Sequence, residues 1–217
     1  MARIKKAVVL LSGGLDSTTV LYWAKSKKRK VHALIFSYGQ KHSKEVKKAI
    51  KIARFSHTPY TVMRIQLPWG GSSLIEKNKE IPKGRTKRDS IPTTYVPARN
   101  TIFLSYAFSF CEAKNFSEIL IGANARDFSG YPDCRPVFYK NFNKLLKVAG
   151  VKKIKVKAPL LKKTKSQIVK LALKLKAPLH LTWSCYRGGK KPCGRCDACL
   201  LRAKGFREAG ISDPALK

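Results

Sequence analysis

Apolar residues gather along the chain in two kinds of pattern. Short runs rich in Val, Ile and Leu occur at 8–11, 31–36, 61–67, 118–122 and 154–156, as expected of strands buried in a sheet. Between and after them, segments 18–27, 44–55, 101–114, 137–149 and 164–175 repeat apolar residues at helical spacing, the first with Val20, Leu21, Trp23 and Ala24. Strand and helix therefore alternate. That alternation predicts a doubly wound, mainly parallel α/β sheet, with ligands at the carboxyl ends of its strands. Residues 68–97 break the pattern with Gly, Pro, Ser and charge, and such a length predicts a lid or a disordered insert. Behind Pro97, Asn100 is placed to cap the next helix. We expect one α/β domain over 1–180 and a small appendage over 181–217.

Composition adds limits. No apolar stretch approaches the roughly 18 residues of a membrane span, and nothing near Met1 reads as a secretory signal, so a cytoplasmic protein is expected. The charge is far from balanced, 46 Lys+Arg against 12 Asp+Glu, a formal net of +34. Much of the excess falls on predicted helix faces and loops, for example Lys25, Lys27, Lys28, Arg29 and Lys30, and again Lys162, Lys163 and Lys165. Two readings stay open: a solvated surface suited to the host's ionic conditions, or a field that binds nucleic acid non-specifically with steep salt dependence.

Three stretches carry candidate chemistry. In the first, Leu11, Ser12, Gly13, Gly14, Leu15, Asp16, Ser17 and Thr18 follow a buried strand and open a helix. The glycines allow a sharp turn, and the backbone N–H groups and hydroxyls face an anion at the positive end of the helix dipole. Asp16 would cap that helix or hold a Mg²⁺ bridging to phosphates. No Lys follows the glycines, which excludes a GxxxxGK[ST] loop. Tyr38 and Gln40 sit at the mouth of the second strand, and Arg99 with Asn100 brings a fork of donors to a helix start. The second stretch, 123–135, follows a strand and places Asp127, Ser129, Tyr131, Asp133 and Cys134 in a loop without apolar periodicity. It reads as a polar pocket with a stacking ring, or as a turn-rich loop. Cys134 is open between a structural role and a reactive thiol.

In the third, Cys185, Cys193, Cys196 and Cys199 include a CxxCxxC run. In a reducing compartment such a group points to one structural Zn²⁺ per chain, with an iron–sulfur cluster as the other reading.

SGGxDS resembles the pyrophosphate loop of the N-type ATP pyrophosphatases. Together, SGGLDS at 12–17, SYGQ at 37–40, VPARN at 96–100, DFSGYPDCR at 127–135 and the four-cysteine tail resemble the 7-cyano-7-deazaguanine synthase (QueC) family. One departure is Ser37, where the family usually has Asp. The resemblance implies an adenine nucleotide alpha hydrolase-like (PP-loop) fold and a homodimeric carbon–nitrogen ligase of queuosine or archaeosine biosynthesis. It implies ATP with Mg²⁺, 7-carboxy-7-deazaguanine and ammonia as ligands, and AMP and pyrophosphate as products beside the nitrile. Residues 11–18 would hold pyrophosphate, with Asp16, Ser17, Arg99, Asp127 and Asp133 acting in catalysis. Tyr38 and Gln40 would lie near adenosine or the base. Arg99 and Asn100 would face phosphate or carboxylate, Asp127, Ser129 and Asp133 would bind the base, and Tyr131 would stack on it. Three rivals remain: a PP-loop enzyme adenylating a base within tRNA, a non-catalytic, zinc-bearing nucleic-acid-binding protein, and a QueC-like chain recruited to another conjugation.

Overall fold

The computed structural model describes residues 4–84, 91–124 and 130–216. Five strands, β1 (Lys6–Leu10), β2 (Lys30–Ser37), β3 (Tyr60–Arg64), β4 (Glu118–Leu120) and β5 (Lys155–Lys157), form one sheet in the order β3-β2-β1-β4-β5. Every pairing is parallel. The helices are α1 (Leu15–Ser26), α2 (Lys44–Phe55), α3 (Arg99–Lys114), α4 (Pro136–Ala149), α5 (Lys165–Lys174) and α6 (Asp197–Ala209). No helix among the described residues is long and apolar enough to cross a membrane.

Because side chains alternate along a strand, β1, β2 and β4 feed two cores. Val8, Leu10, Leu34, Phe36 and Ile119 face one layer, where Leu104, Ala107, Phe142 and Leu146 of α3 and α4 pack. Ala7, Val9, Ala33, Ile35 and Leu120 face the other, filled from α1, α2 and α5 by Leu21, Ile52 and Ile168 and from α6 by Phe206. Both faces are covered, as a parallel sheet requires.

The chain order reverses beside β1: β2 and β3 extend to one side, β4 and β5 to the other. At such a switch point the loops leaving two adjacent strands diverge and open a crevice at their carboxyl ends. Here those loops leave β1 and β4.

The structure corrects several expectations. α1 begins at Leu15, three residues earlier than the apolar spacing indicated, so Gly14 is its N-cap and Asp16 lies within its first turn. α3 begins at Arg99 with Ala98 at the N-cap, and Asn100 is inside the helix. Its backbone N–H donates to the Asp133 carboxylate at 3.0 Å, so the capping acceptor comes from a distant loop. The described part of segment 68–97 has no strand or α-helix but is no loose insert. Ser72, Ser73, Leu74, Ile81, Thr94 and Val96 are buried, and Ser73 N–H donates to the Thr93 carbonyl at 2.8 Å. The spacing also gave no sign of α6. Residues 181–217 contribute Trp183, Cys185, Cys196 and Cys199 to the first core and Phe206 to the second.

Candidate active site

The crevice between the β1 and β4 loops opens into a cavity of about 270 Å³. One wall is the corner from β1 to α1. Gly13 turns there at φ +79°, and an added Cβ would lie 2.6 Å from the Glu45 carbonyl oxygen and 2.7 Å from Ala49 N. Only glycine fits between this turn and α2. The Ser12 and Ser17 hydroxyls are 3.0 Å apart, and Ser17 Oγ accepts from Ser12 N–H at 3.2 Å. Gly122, leaving β4, comes equally close from the other side, its would-be Cβ 2.9 Å from Ser17 N.

Asp16 is held in place. Lys165, the first residue of α5, sets its ammonium 3.0 and 2.7 Å from the two carboxylate oxygens, and Asn124 Nδ2 donates at 2.7 Å. A carboxylate in the first helical turn is also favoured by the dipole of α1. The sequence reading missed both partners, since Lys165 stood in a lysine run read as surface charge and Asn124 had no assigned role.

The opposite wall is aromatic and basic. Tyr38 is buried, and its hydroxyl accepts from Arg99 Nη1 at 3.3 Å, with the guanidinium 5.8 Å from the ring centroid. Burial pushes the Tyr38 phenol upward against the pull of Arg99. Tyr131 stacks on Tyr95 with centroids 5.8 Å apart, and its hydroxyl pairs with Thr94 Oγ1 at 2.9 Å. Gln40 bends back on its own loop, accepting from Tyr38 N–H at 2.8 Å and donating to the Phe36 carbonyl at 3.3 Å.

Of the sequence candidates, Leu11, Ser12, Gly14, Leu15, Asp16, Ser17, Tyr38, Gln40, Arg99, Asn100 and Tyr131 all line this one cavity. Gly13 and Thr18 stand behind it: Gly13 shapes the turn, and the buried Thr18 hydroxyl donates to the Gly14 carbonyl at 2.7 Å. Asp133 is also buried, with its carboxylate turned to α3; burial raises its pKa while the Asn100 N–H draws it down. Asp127 and Ser129 lie outside the described residues. Glu45, which no motif singled out, lines the cavity from the first turn of α2.

The four cysteines of the tail come together. Their sulfurs lie within 4.8 Å of one another, and Cys193 and Cys199 are 4.0 Å apart. Four sulfurs at about 2.3 Å from a tetrahedral metal sit roughly 3.8 Å apart, so a small inward shift forms the site. Within the group, hydrogen bonding from Cys199 lowers the Cys196 thiol and raises that of Cys199. The cluster is compatible with a metal ion, and the segment that carries it is joined to the β1–α1 corner, since Trp183 N–H donates to the Gly13 carbonyl at 2.9 Å.

Comparison with known proteins places this geometry. The sequence model of the family described as "Queuosine biosynthesis protein QueC" matches residues 6–210. A 7-cyano-7-deazaguanine synthase of Thermoplasma volcanium is 48% identical over 216 residues, covering 97% of this chain and 90% of that protein. One from Picrophilus torridus is 50% identical over 214 residues, covering 96% and 90%. Among solved structures, the NMN synthetase of Francisella tularensis superposes with a TM-score of 0.53 at 13% identity, over 97% of this chain and 89% of that one, a likeness of fold. With half of all residues shared with curated relatives across nearly its whole length, the chain belongs to the QueC family.

Proposed function

We propose that the protein is an ATP-dependent carbon–nitrogen ligase that converts 7-carboxy-7-deazaguanine and ammonia to 7-cyano-7-deazaguanine, releasing AMP and pyrophosphate. The observation that supports it most is the shared cavity: the β1–α1 corner and the Arg99–Tyr131 wall open onto one space. A carboxylate resists attack because oxide is a poor leaving group, and adenylation replaces oxide with AMP. Ammonia then gives the amide. Adenylation of the amide oxygen lets AMP leave a second time as the nitrile forms.

The residues divide this work by position. Backbone N–H groups of 12–17 and the Ser12 and Ser17 hydroxyls receive the pyrophosphate at the positive end of α1. Lys165, now on Asp16, lies within reach of the same oxygens, and Mg²⁺ held with ATP by Asp16 supplies further neutralisation of charge. Arg99 lets the substrate carboxylate approach a phosphate, and Tyr131 gives the base a ring face. Rate enhancement comes from positioning and charge stabilisation. In the tail, Cys185, Cys193, Cys196 and Cys199 hold a structural Zn²⁺, closed to substrate. We assign 1–180 to catalysis and 181–217 to support of the nucleotide corner.

The test is incubation with the 7-carboxy base, ATP, Mg²⁺ and ammonium, followed by mass spectrometry for the nitrile. Two AMP per nitrile are expected. ATP consumption without a nitrogen-bearing product would refute the assignment.

A further inference from the structure

The cavity is bordered by cations: Arg99 on α3, Lys165 on α5 and Arg202 on α6 all line it. In a chain with only 12 acidic residues, two carboxylates line it as well, and their states differ. Asp16 is occupied by Lys165 and Asn124. The Glu45 side chain makes no hydrogen bond or ion pair among the described residues, and the residue keeps part of its surface open. It stands beside the Gly13 turn, against which its own carbonyl packs, and close enough to Arg99 and Tyr38 to act on both electrostatically.

An uncommitted carboxylate at the wall of a cavity attracts a small cation. Resting on the proposed ligase reaction, one such cation is a substrate: at neutral pH ammonia is present mostly as ammonium, which has no lone pair to attack with. We propose that Glu45 is the ammonium-binding residue and general base of the amidation step, accepting one proton from ammonium so that ammonia attacks the adenylated carboxyl carbon. In that step the new C–N bond forms as the C–O bond to AMP breaks, and AMP departs with the carboxyl oxygen. Of the protons lost from ammonium, one goes to Glu45 and the second to solvent water.

Burial pushes the Glu45 carboxyl up to about 7, with Arg99 pulling it down, a basicity suited to taking a proton at neutral pH. Lys44 and Lys48 stand on its own helix with charge opposite to that of the carboxylate. Lys44 is committed elsewhere, its ammonium 4.1 Å from the Trp183 ring centroid, and Lys48 is lowered chiefly by burial and by other cations, Arg202 included. From the remaining walls Tyr38, Tyr131, Cys134, Tyr186, Asp16 and Lys165 add the other charged and titratable groups among the described residues.

The experiment separates two half-reactions: ATP–pyrophosphate exchange driven by the 7-carboxy base, which needs no ammonia, and amide formation with ammonium chloride as the varied substrate. Glu45→Gln should lose about 100-fold or more in kcat/KM for ammonium at pH 7, at least about 30-fold beyond any loss in exchange. The wild type should level off above pH 7 in kcat/KM for total ammonium. Glu45→Gln should keep climbing about tenfold per pH unit as free ammonia rises, and Glu45→Asp should regain part of the plateau. Equal losses in exchange and amidation, with a raised Mg²⁺ requirement, would make Glu45 a nucleotide–metal residue and overturn the proposal, as would an unchanged ammonium dependence. Wild-type protein with no base-driven exchange would refute the ligase reading itself.

Discussion

Gly13 is wedged between two backbones. A methyl group there meets the Glu45 carbonyl oxygen at 2.6 Å and Ala49 N at 2.7 Å, at a φ of +79°. Neither neighbour is a side-chain tip that can swing aside, so α2 would have to move. Gly13→Ala is expected to cost about 2–4 kcal/mol from strain and overpacking, read as a lowered denaturation midpoint together with weakened ATP binding. Lys165 allows a different test at the same corner. Its stem packs against Gly205, whose would-be Cβ lies 2.5 Å from Lys165 Cγ, while its ammonium reaches Asp16. Lys165→Met keeps most of the stem and removes the charge. The folded protein should survive while base-driven ATP–pyrophosphate exchange falls about 100-fold or more, the scale set by losing one preorganised charge contact. Exchange at the wild-type rate would show that the contact with Asp16 serves the fold alone.

At the scale of elements, some helices are written plainly and others are not. α5 opens with a capping box in which Thr164 Oγ1 accepts from Gln167 N–H and Gln167 Oε1 accepts from Thr164 N–H, a signal confined to four residues. Strands β1, β2 and β4 were equally legible, because a strand covered on both faces is an unbroken apolar word. α6 was not legible. Its N-cap Cys196 and its first-turn Cys199 belong to the four-cysteine cluster, and Leu200 stays exposed, so no continuous apolar stripe marks it. The site shows the same divide. The turn from β1 to α1 could be read from adjacent residues, whereas Lys165 and Asp16 are 149 positions apart and Asp133 caps α3 from 33 positions away. Pairings of that kind are made by the sheet, and no local pattern announces them.

α6 also carries a buried ion pair. Arg202 donates to both carboxylate oxygens of Asp213, at 2.5 and 2.9 Å, and to Ser184 Oγ at 3.1 Å, with both side chains more than nine-tenths covered. Asp213→Ala would strand the guanidinium, at a cost of about 3–5 kcal/mol. Thermal or denaturant unfolding measures it, and a change under 1 kcal/mol would mean that water reaches Arg202.

Over the whole molecule the charge acts as a single quantity. Few carboxylates are available to offset a formal +34, and Glu118 alone serves both Arg29 and Lys157. Mutual repulsion among the remaining cations opposes the compact state and weakens as salt shortens the Debye length to about 8 Å at 0.15 M and 3 Å at 1 M. The melting temperature should therefore rise with added sodium chloride from low ionic strength. A fall would mean that local ion pairs outweigh the global field.

One hydrogen bond, from Trp183 N–H to the Gly13 carbonyl, ties the segment that carries the four cysteines to the glycine turn after β1. On the proposed reading, stripping a metal from the four cysteines with a chelator, or oxidising their sulfurs, would therefore be felt at Gly13 as a slackened grip on nucleotide.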